Sequence, residues 1–276
     1  MPVLMASEEG DPVVRGVSDG VPGSAAWADR LRSVRAKTSM VGWDFGQLDG
    51  RMSAEEPWWD FEEDCRSAMT TTRRILDLGT GGGERLLRLL QEVDGRSRTV
   101  VATEGWEPNL SVARRALADH GVAVLFYDPE HGKALPFPDG CFDLVMCRHE
   151  AFDAGEVSRI MTPGGLFLTQ QVDGRDVEEI HEWFGVPFLY PDVTASRQVE
   201  ELQAAGLHVV TVDQWQGSQT FKDAEALVTY LALCPWDAEG FTVDRHLETL
   251  ARLDSEAPIH VTQRRLRIHA VKAATQ

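Results

Sequence analysis

The feature that most constrains this 276-residue chain is a glycine-rich turn between a predicted strand and a predicted helix. After the apolar run at 75–78, glycine occupies every second position, at Gly79, Gly81 and Gly83, and a helical pattern begins at Glu84. Glycine allows a tight turn and lets the backbone approach a ligand closely. The first N–H groups of the following helix have no partner within it and point toward such a ligand. The sequence therefore predicts a strand–turn–helix cradle for a nucleotide-like molecule.

Three further signals follow this turn along the chain. The strand predicted at 99–103 leads to the carboxylate of Glu104, and an acid at that place can accept the hydroxyls of a ribose. A Leu-Pro-Phe run at 135–137 and a Phe-Asp pair at 142–143 precede a fourth apolar strand, and a Pro-Gly-Gly turn at 163–165 leads into a fifth. A single glycine-rich turn is weak evidence for such a ligand, whereas four signals in order are specific together.

These signals resemble the motifs of the class I methyltransferases that depend on S-adenosylmethionine (SAM), whose glycine spacing differs from that of the dinucleotide fingerprint. The resemblance covers roughly residues 70–215 and extends to the type 11-like methyltransferases and a bacterial subgroup of unclear substrate. It implies an α/β fold, Rossmann-like and doubly wound, with a seven-stranded sheet of order 3-2-1-4-5-7-6. It also implies SAM as the cofactor and S-adenosylhomocysteine (SAH) as the product.

The resemblance also assigns contacts with the cofactor. The expected contact residues are Asp77, Gly79, Thr80, Gly81, Gly83, Glu104, Gly105, Trp106 and Asp128. Glu104 is expected to bind the ribose hydroxyls, while Asp77 either orients the amino group of the cofactor or caps the loop. Trp106 either flanks the adenine or only packs. Asp128 either lies near the adenine amino group or forms the turn before Pro129.

Three titratable residues follow one another at the predicted tip of the fourth strand. This tip lies at the carboxyl end of the sheet, where ligands bind in open α/β folds. His149 is a candidate general base, Glu150 its orienting partner, and Arg148 a candidate partner for an acidic substrate. The alternative is a structural Arg148–Glu150 pair with His149 touching the cofactor. Methyl transfer often needs no base, because aligning the nucleophile with the methyl group supplies much of the rate.

Aromatic and amide side chains are predicted to wall the acceptor pocket. The candidates are Trp43, Trp58, Trp59, Gln170 and Gln171. The tryptophans precede the core motifs, so they either line the pocket or pack an N-terminal arm onto the core. Strand alternation predicts that one of the two glutamines points at the substrate.

Strand and helix patterns divide the chain into three parts. Residues 1–26 are predicted to be disordered or loosely attached, 27–69 a helical arm or cap, and 70–276 the SAM-binding domain. Strands are predicted at 75–78, 99–103, 122–126, 142–147, 165–171, 207–212 and 264–271. Helices are predicted at 83–92, 108–119, 153–161, 177–184, 198–205, 223–234 and 241–254. Inserts near 174–205 and 213–260 are expected to build a lid with the arm.

Composition narrows the class of partner and the location. A formal net charge of −17 disfavours nucleic acid, which proteins bind through Lys and Arg. The alternating run at 264–267 places Arg264, Arg265 and Arg267 on the predicted solvated face of a strand. No 18-residue apolar stretch and no secretory start are present, so the prediction is a cytoplasmic protein without a membrane span. The four cysteines, Cys65, Cys141, Cys147 and Cys234, are predicted to be reduced thiols outside any metal site.

The functional expectation is transfer of a methyl group to an O, N or C atom of a small molecule, with secondary metabolism as one setting. The protein is expected to be a monomer or a homodimer. Two alternatives stay open. One is methylation of RNA or protein, and the other is a SAM-using enzyme or SAM-binding protein with chemistry other than methyl transfer.

Overall fold

An eight-stranded mixed sheet organises the chain in the computed structural model, which describes residues 21–93, 98–129 and 134–274. The strands are β1 (Met52–Ala54), β2 (Arg74–Leu78), β3 (Thr99–Glu104), β4 (Ala123–Phe126), β5 (Phe142–Arg148), β6 (Met161–Val172), β7 (Leu207–Phe221) and β8 (Ile259–Lys272). The helices are α1 (Ala25–Lys37), α2 (Phe61–Thr71), α3 (Glu84–Glu92), α4 (Glu107–Leu117), α5 (Ala154–Ile160), α6 (Glu178–Phe184), α7 (Ala195–Ala204), α8 (Ala224–Leu233) and α9 (Leu247–Ser255).

The predicted seven-strand order is confirmed, and the arm adds one more strand. The sheet order is β1-β7-β8-β6-β5-β2-β3-β4, and from β4 to β7 it matches the order 3-2-1-4-5-7-6. Strands β2 to β6 pair in parallel, and β8 lies antiparallel between β6 and β7. The predicted strand count was wrong by one because β1 has only three residues, too few to show an alternation.

The last two strands are longer than predicted, so the second insert is shorter. β7 continues to Phe221 and β8 begins at Ile259, which assigns 213–221 to the sheet rather than to a lid insert. Side chains at 208–216 alternate between exposed and partly buried, as expected for a strand with one solvated face, and those at 217–221 are partly or fully buried. The remaining insert holds α8 and α9.

The N-terminal arm packs on this insert. The predicted loose segment at 1–26 falls outside the described residues up to position 20, and Ala25 begins α1. Trp27 of α1 is buried, and its indole N–H donates to the Asp254 carboxylate at 3.2 Å. Trp27, Leu31 and Leu227 belong to one apolar cluster that joins the arm to the insert.

The two faces of the sheet carry the other apolar clusters. Successive side chains of a strand point to opposite faces. Ile75, Leu144 and Leu168 pack with α2, α3 and α4 on one face, while Val145 and Phe167 lie in the cluster of the other face. Within the described ranges, no helix is long and apolar enough to cross a membrane.

Candidate active site

The glycine-rich turn has the backbone conformation that the sequence predicted. Gly79, Gly81 and Gly83 have φ values of +71°, +65° and +90°, which side chains with a Cβ rarely adopt. A Cβ added to Gly81 would lie 2.3 Å from Cδ1 of Trp43, and Gly83 is the N-cap of α3. The turn is therefore closed to larger residues by conformation and by space.

Three hydrogen bonds attach this turn to strand β3. The Thr80 N–H donates to the Thr103 carbonyl at 2.8 Å, and the Gly79 N–H donates to the Thr103 hydroxyl at 3.3 Å. The buried Glu104 carboxylate accepts the Gly81 N–H at 2.6 Å and the Trp106 N–H at 2.9 Å. Burial raises the pKa of Glu104, which these N–H groups partly oppose.

The two carboxylate oxygens of Asp77 differ in their hydrogen bonding. Its Oδ1 accepts from Arg85 Nη2 at 2.6 Å. Its Oδ2 is buried and has no hydrogen-bond partner among the residues that the structure describes. A buried acceptor without a donor is costly, and an ammonium group would satisfy it. The structure therefore fits an amino-bearing ligand at this carboxylate.

The remaining candidates for cofactor contact follow Glu104 and β4. Tyr127 donates its N–H to the Glu104 carbonyl at 3.2 Å, which brings the neighbouring Asp128 to the Glu104 loop. A Cβ on Gly105 would lie 2.8 Å from the Tyr127 carbonyl, so this position also favours glycine. Trp106 has an exposed ring and precedes α4.

At the tip of β5 the backbone turns sharply. His149 has a φ of +57°, uncommon for a residue with a Cβ, and its N–H donates to the Gln170 carbonyl at 2.9 Å. The turn brings Glu150 to the cradle, because a Cβ on Gly79 would lie 2.4 Å from the Glu150 side chain. Arg148 has no hydrogen-bond or ion-pair partner in the described part of the chain, so the alternative of an Arg148–Glu150 pair is wrong.

A chain of hydrogen bonds fixes the His149 ring. The Trp59 indole N–H donates to Gln170 Oε1 at 2.7 Å, and Gln170 Nε2 lies 3.1 Å from His149 Nε2. The amide can only donate there, so His149 Nε2 accepts and Nδ1 carries the proton. Desolvation lowers the pKa of His149 well below its usual range, and the charges of Arg148 and Arg265 lower it further. The ring is therefore neutral at neutral pH, although His149 as a whole residue is exposed.

The two glutamines of β6 point to opposite faces, as alternation predicted. Gln170 faces Trp59 and His149. Gln171 donates to Thr169 Oγ1 at 2.8 Å and to the Glu150 carbonyl at 2.9 Å, so it braces the turn after β5.

The basic residues of β8 correct one prediction and reveal a site residue that the sequence analysis missed. The run at 264–267 is not a solvated face, because all three arginines lie in ion pairs. Arg267 is buried between Asp64 and Asp213, and its guanidinium stacks on Trp58 and Trp59 at 5.3 and 5.2 Å from the ring centres. The role of Arg267 follows from its position opposite Gln170 in the sheet. This position depends on the pairing of two strands that are far apart in the sequence, so the local sequence pattern does not reveal it.

The tryptophans of the arm lie at this end of the sheet with different exposure. Trp59 is buried, Trp58 is 68% exposed and Trp43 is 46% exposed. Trp43 lies against the glycine-rich turn and meets Trp236 of the insert edge to face, with ring centres 5.8 Å apart. Within the described ranges, no group of three or more His, Cys, Asp and Glu side chains could hold a metal ion.

Comparison with known proteins finds similarity to methyltransferases over the part of the chain that holds the glycine-rich turn. A family model described as a methyltransferase domain matches residues 75–165. A demethylmenaquinone methyltransferase of Thermus thermophilus is 37% identical over 103 residues, which are 35% of this chain and 46% of that protein. A ubiquinone/menaquinone biosynthesis C-methyltransferase of Vibrio parahaemolyticus is 32% identical over 119 residues, 40% of this chain and 45% of that protein. The match therefore spans less than half the length of these relatives.

A solved structure supports the same fold. The YcgJ protein of Bacillus subtilis superposes with a TM-score of 0.56 at 17% identity, covering 78% of this chain and 99% of that one. At this identity the likeness concerns the fold.

Proposed function

We propose that the chain is a methyltransferase that binds SAM and transfers a methyl group to a small molecule, as its match to a methyltransferase domain and its sheet order support. The acceptor atom is O, N or C. The observation that carries the proposal is the cradle in which the orphaned Asp77 oxygen, the glycine-rich turn and the buried Glu104 carboxylate meet.

The residues of the cradle fit the parts of SAM. Asp77 Oδ2 would hold the amino group, since it is a buried acceptor that lacks a donor. Glu104 would accept the ribose hydroxyls, because each carboxylate oxygen keeps a lone pair besides the one that takes a backbone N–H. Gly79, Gly81 and Gly83 would allow the close approach of the backbone. When bound, SAM supplies an electrophilic methyl group on a sulfonium.

The acceptor would lie between the β5 tip and the arm. Trp43 and Trp58 supply exposed apolar surface there, and the buried Trp59 holds Gln170. His149 and Gln170 supply polar groups at the carboxyl end of the sheet. The names of the relatives indicate that those proteins methylate quinone precursors, which favours a small-molecule acceptor here as well. A cytoplasmic location, a monomer or homodimer, and a role in secondary metabolism stay predictions.

In this arrangement His149 is better suited to orienting the acceptor than to removing a proton from it. Its Nε2 lone pair is engaged by Gln170, so proton abstraction requires that hydrogen bond to break. Its Nδ1–H is a donor that can orient an acceptor oxygen or nitrogen. Alignment of the acceptor with the methyl group then supplies much of the rate.

Binding of SAH to the purified protein, followed by calorimetry, tests the cofactor assignment. Glu104→Ala and Gly81→Val should each weaken SAH binding by at least tenfold, because one removes the carboxylate and the other fills the cradle. Glu107→Ala is the matched control, since it removes an exposed carboxylate three positions further on. Equal affinity in all four proteins would refute the assignment.

Incubation with methyl-tritiated SAM and a cell extract tests the acceptor class. Label is expected in the small-molecule fraction. Label in RNA or in protein would favour the macromolecular alternative. SAH binding without labelling of any fraction would favour a SAM-binding protein with other chemistry.

A further inference from the structure

Four adjacent strands place a row of polar side chains across one face of the sheet, at the site. Arg148 of β5 is in register with Gln170 of β6, Gln170 with Arg267 of β8, and Arg267 with Asp213 of β7. Residues paired in this way point to the same face. Trp59 contacts this row through its hydrogen bond to Gln170 and its stacking with Arg267.

All but one of the members of the row have partners. Gln170 is held by Trp59 and His149, and Arg267 forms ion pairs with Asp213 at 2.6 Å and with Asp64 at 2.8 Å. Arg148 is the exception, because none of the described residues bonds to its guanidinium.

The other arginines near Arg148 are already neutralised. Arg85 pairs with Asp77 at 2.6 Å, and Arg265 pairs with Asp176 at 2.8 Å. Glu62, which attracts Arg148, pairs with Arg88 at 2.7 Å. Glu56 also attracts it but forms no ion pair with it. Among the arginines that the structure describes at this place, Arg148 is thus the one without an ion-pair partner, in a chain whose net charge is −17.

This unpaired guanidinium carries an energetic cost. Arg148 is only partly exposed, and desolvation lowers its pKa, as do the positive charges of Arg85 and Arg265. Removing a charge from water without a partner is unfavourable. A bound anion at this place would offset that cost by pairing with the guanidinium. An arginine with a purely structural role would instead be paired with a carboxylate of the protein.

We propose that the acceptor is a small monoanion whose carboxylate pairs with Arg148. The inference rests on the proposed function, because it names the substrate class of the same site. A carboxylate matches the planar fork of one guanidinium through two parallel hydrogen bonds. A phosphate dianion would bring two negative charges to a cleft that offers one positive charge. The exposed Trp58 would contact the apolar part of the acceptor.

Stability without ligands tests whether Arg148 is unpaired. Arg148→Gln removes a charge that has no partner, so its thermal midpoint should equal or exceed that of the unmodified protein. Arg267→Gln is the matched control in the same row, and its midpoint should fall because Asp64 and Asp213 lose their partner. A fall in Arg148→Gln as large as in Arg267→Gln would overturn the proposal.

Acceptor fractionation tests the substrate class. A small-molecule extract of cells that naturally contain the protein is passed over a quaternary-ammonium resin, and both fractions are assayed with methyl-tritiated SAM. Acceptor activity is expected in the retained, anionic fraction. With that fraction, Arg148→Gln should lower kcat/KM roughly 30-fold through KM, and Arg148→Lys should lower it less.

Acceptor activity in the flow-through, or an unchanged kcat/KM in Arg148→Gln, would overturn the anionic acceptor. SAH affinity, measured on the same preparations, should be the same with and without the Arg148 substitution. If the unmodified protein itself does not bind SAH, the proposed function is refuted instead.

Discussion

At the scale of single residues, the hydrogen-bond chain from Trp59 to His149 determines which ring nitrogen His149 presents to the cleft. The buried Gln170 amide can satisfy both neighbours only if its oxygen faces Trp59 and its nitrogen faces His149. An indole 111 residues before Gln170 in the sequence thus sets the tautomer of a candidate active-site residue. Such a relay makes Trp59 and Gln170 positioning residues for the site.

Trp59→Phe should destabilise the protein by about 2 kcal/mol, because it leaves the buried Gln170 oxygen without a donor. Urea unfolding measures the change. Trp58→Phe is the control, since Trp58 is 68% exposed and forms no comparable bond among the described residues, and its change should stay within about 0.5 kcal/mol. Nitrogen chemical shifts of His149 should show a larger Nε2–H population in Trp59→Phe alone. Equal shifts in both variants would contradict the relay.

Asp237 gives a second prediction at this scale. It lies in the turn at 235–238, accepts the Tyr230 hydroxyl at 2.5 Å, and burial raises its pKa from 3.8 to about 7. The folded protein therefore binds this proton more tightly than the unfolded chain, so its contribution to stability is present below pH 4 and disappears as pH rises to about 7. The pKa change corresponds to at most about 4 kcal/mol of stability over this pH range.

Asp237→Asn should remove this part of the pH dependence, because the amide stays neutral throughout. Urea midpoints between pH 4 and 8 should fall less steeply in Asp237→Asn than in the unmodified protein. Asp119→Asn, which changes an exposed carboxyl, should follow the unmodified protein. Parallel pH profiles of all three proteins would refute the assignment to Asp237.

At the scale of elements, local motifs predicted the strands and helices that build the cradle, while long-range pairing decided the rest. The strand before Gly79 and the helix after Gly83 were predictable because turn, strand and helix are contiguous in sequence. The three-residue β1 has no periodicity to detect and forms only because β7 offers an edge. Arg267 was misassigned for the same reason, since its burial depends on β6, β7 and α2, which are remote in sequence.

The short strand β1 attaches the arm to the sheet edge. Ser53 is opposite Thr220, and the Glu55 N–H donates to the Ser218 carbonyl at 2.9 Å. Ser53→Pro should loosen this edge, because proline lacks a donor and fits poorly within a ladder. Hydrogen exchange at 219–221 and proteolytic cleavage between 38 and 60 should both speed up. Ser53→Ala is the control and should change neither rate, and an unaffected Ser53→Pro would show that the arm is held without β1.

At the scale of the whole molecule, three parts of the chain meet over the glycine-rich turn. The turn belongs to the sheet domain, Trp43 to the arm and Trp236 to the insert. The arm and the insert share one apolar cluster, which includes the buried Trp27 and Phe241. The predicted partnership of arm and insert as a lid therefore has a physical basis in their common packing, and its role in the reaction stays a prediction.

The contact between Trp43 and Trp236 gives the test of that partnership. If the two rings hold the arm over bound cofactor, Trp43→Ala and Trp236→Ala should each increase the rate of SAH dissociation, by roughly five- to tenfold for an aromatic pair of about 1 kcal/mol. The double variant should release SAH no faster than the quicker single variant, because the same contact is lost once. Stopped-flow fluorescence measures the rates, and Val210→Ala, which shortens an exposed apolar side chain of β7, serves as the control outside the pair. Multiplicative effects of the two substitutions would show that the rings act independently, and the arm would then not close against the insert.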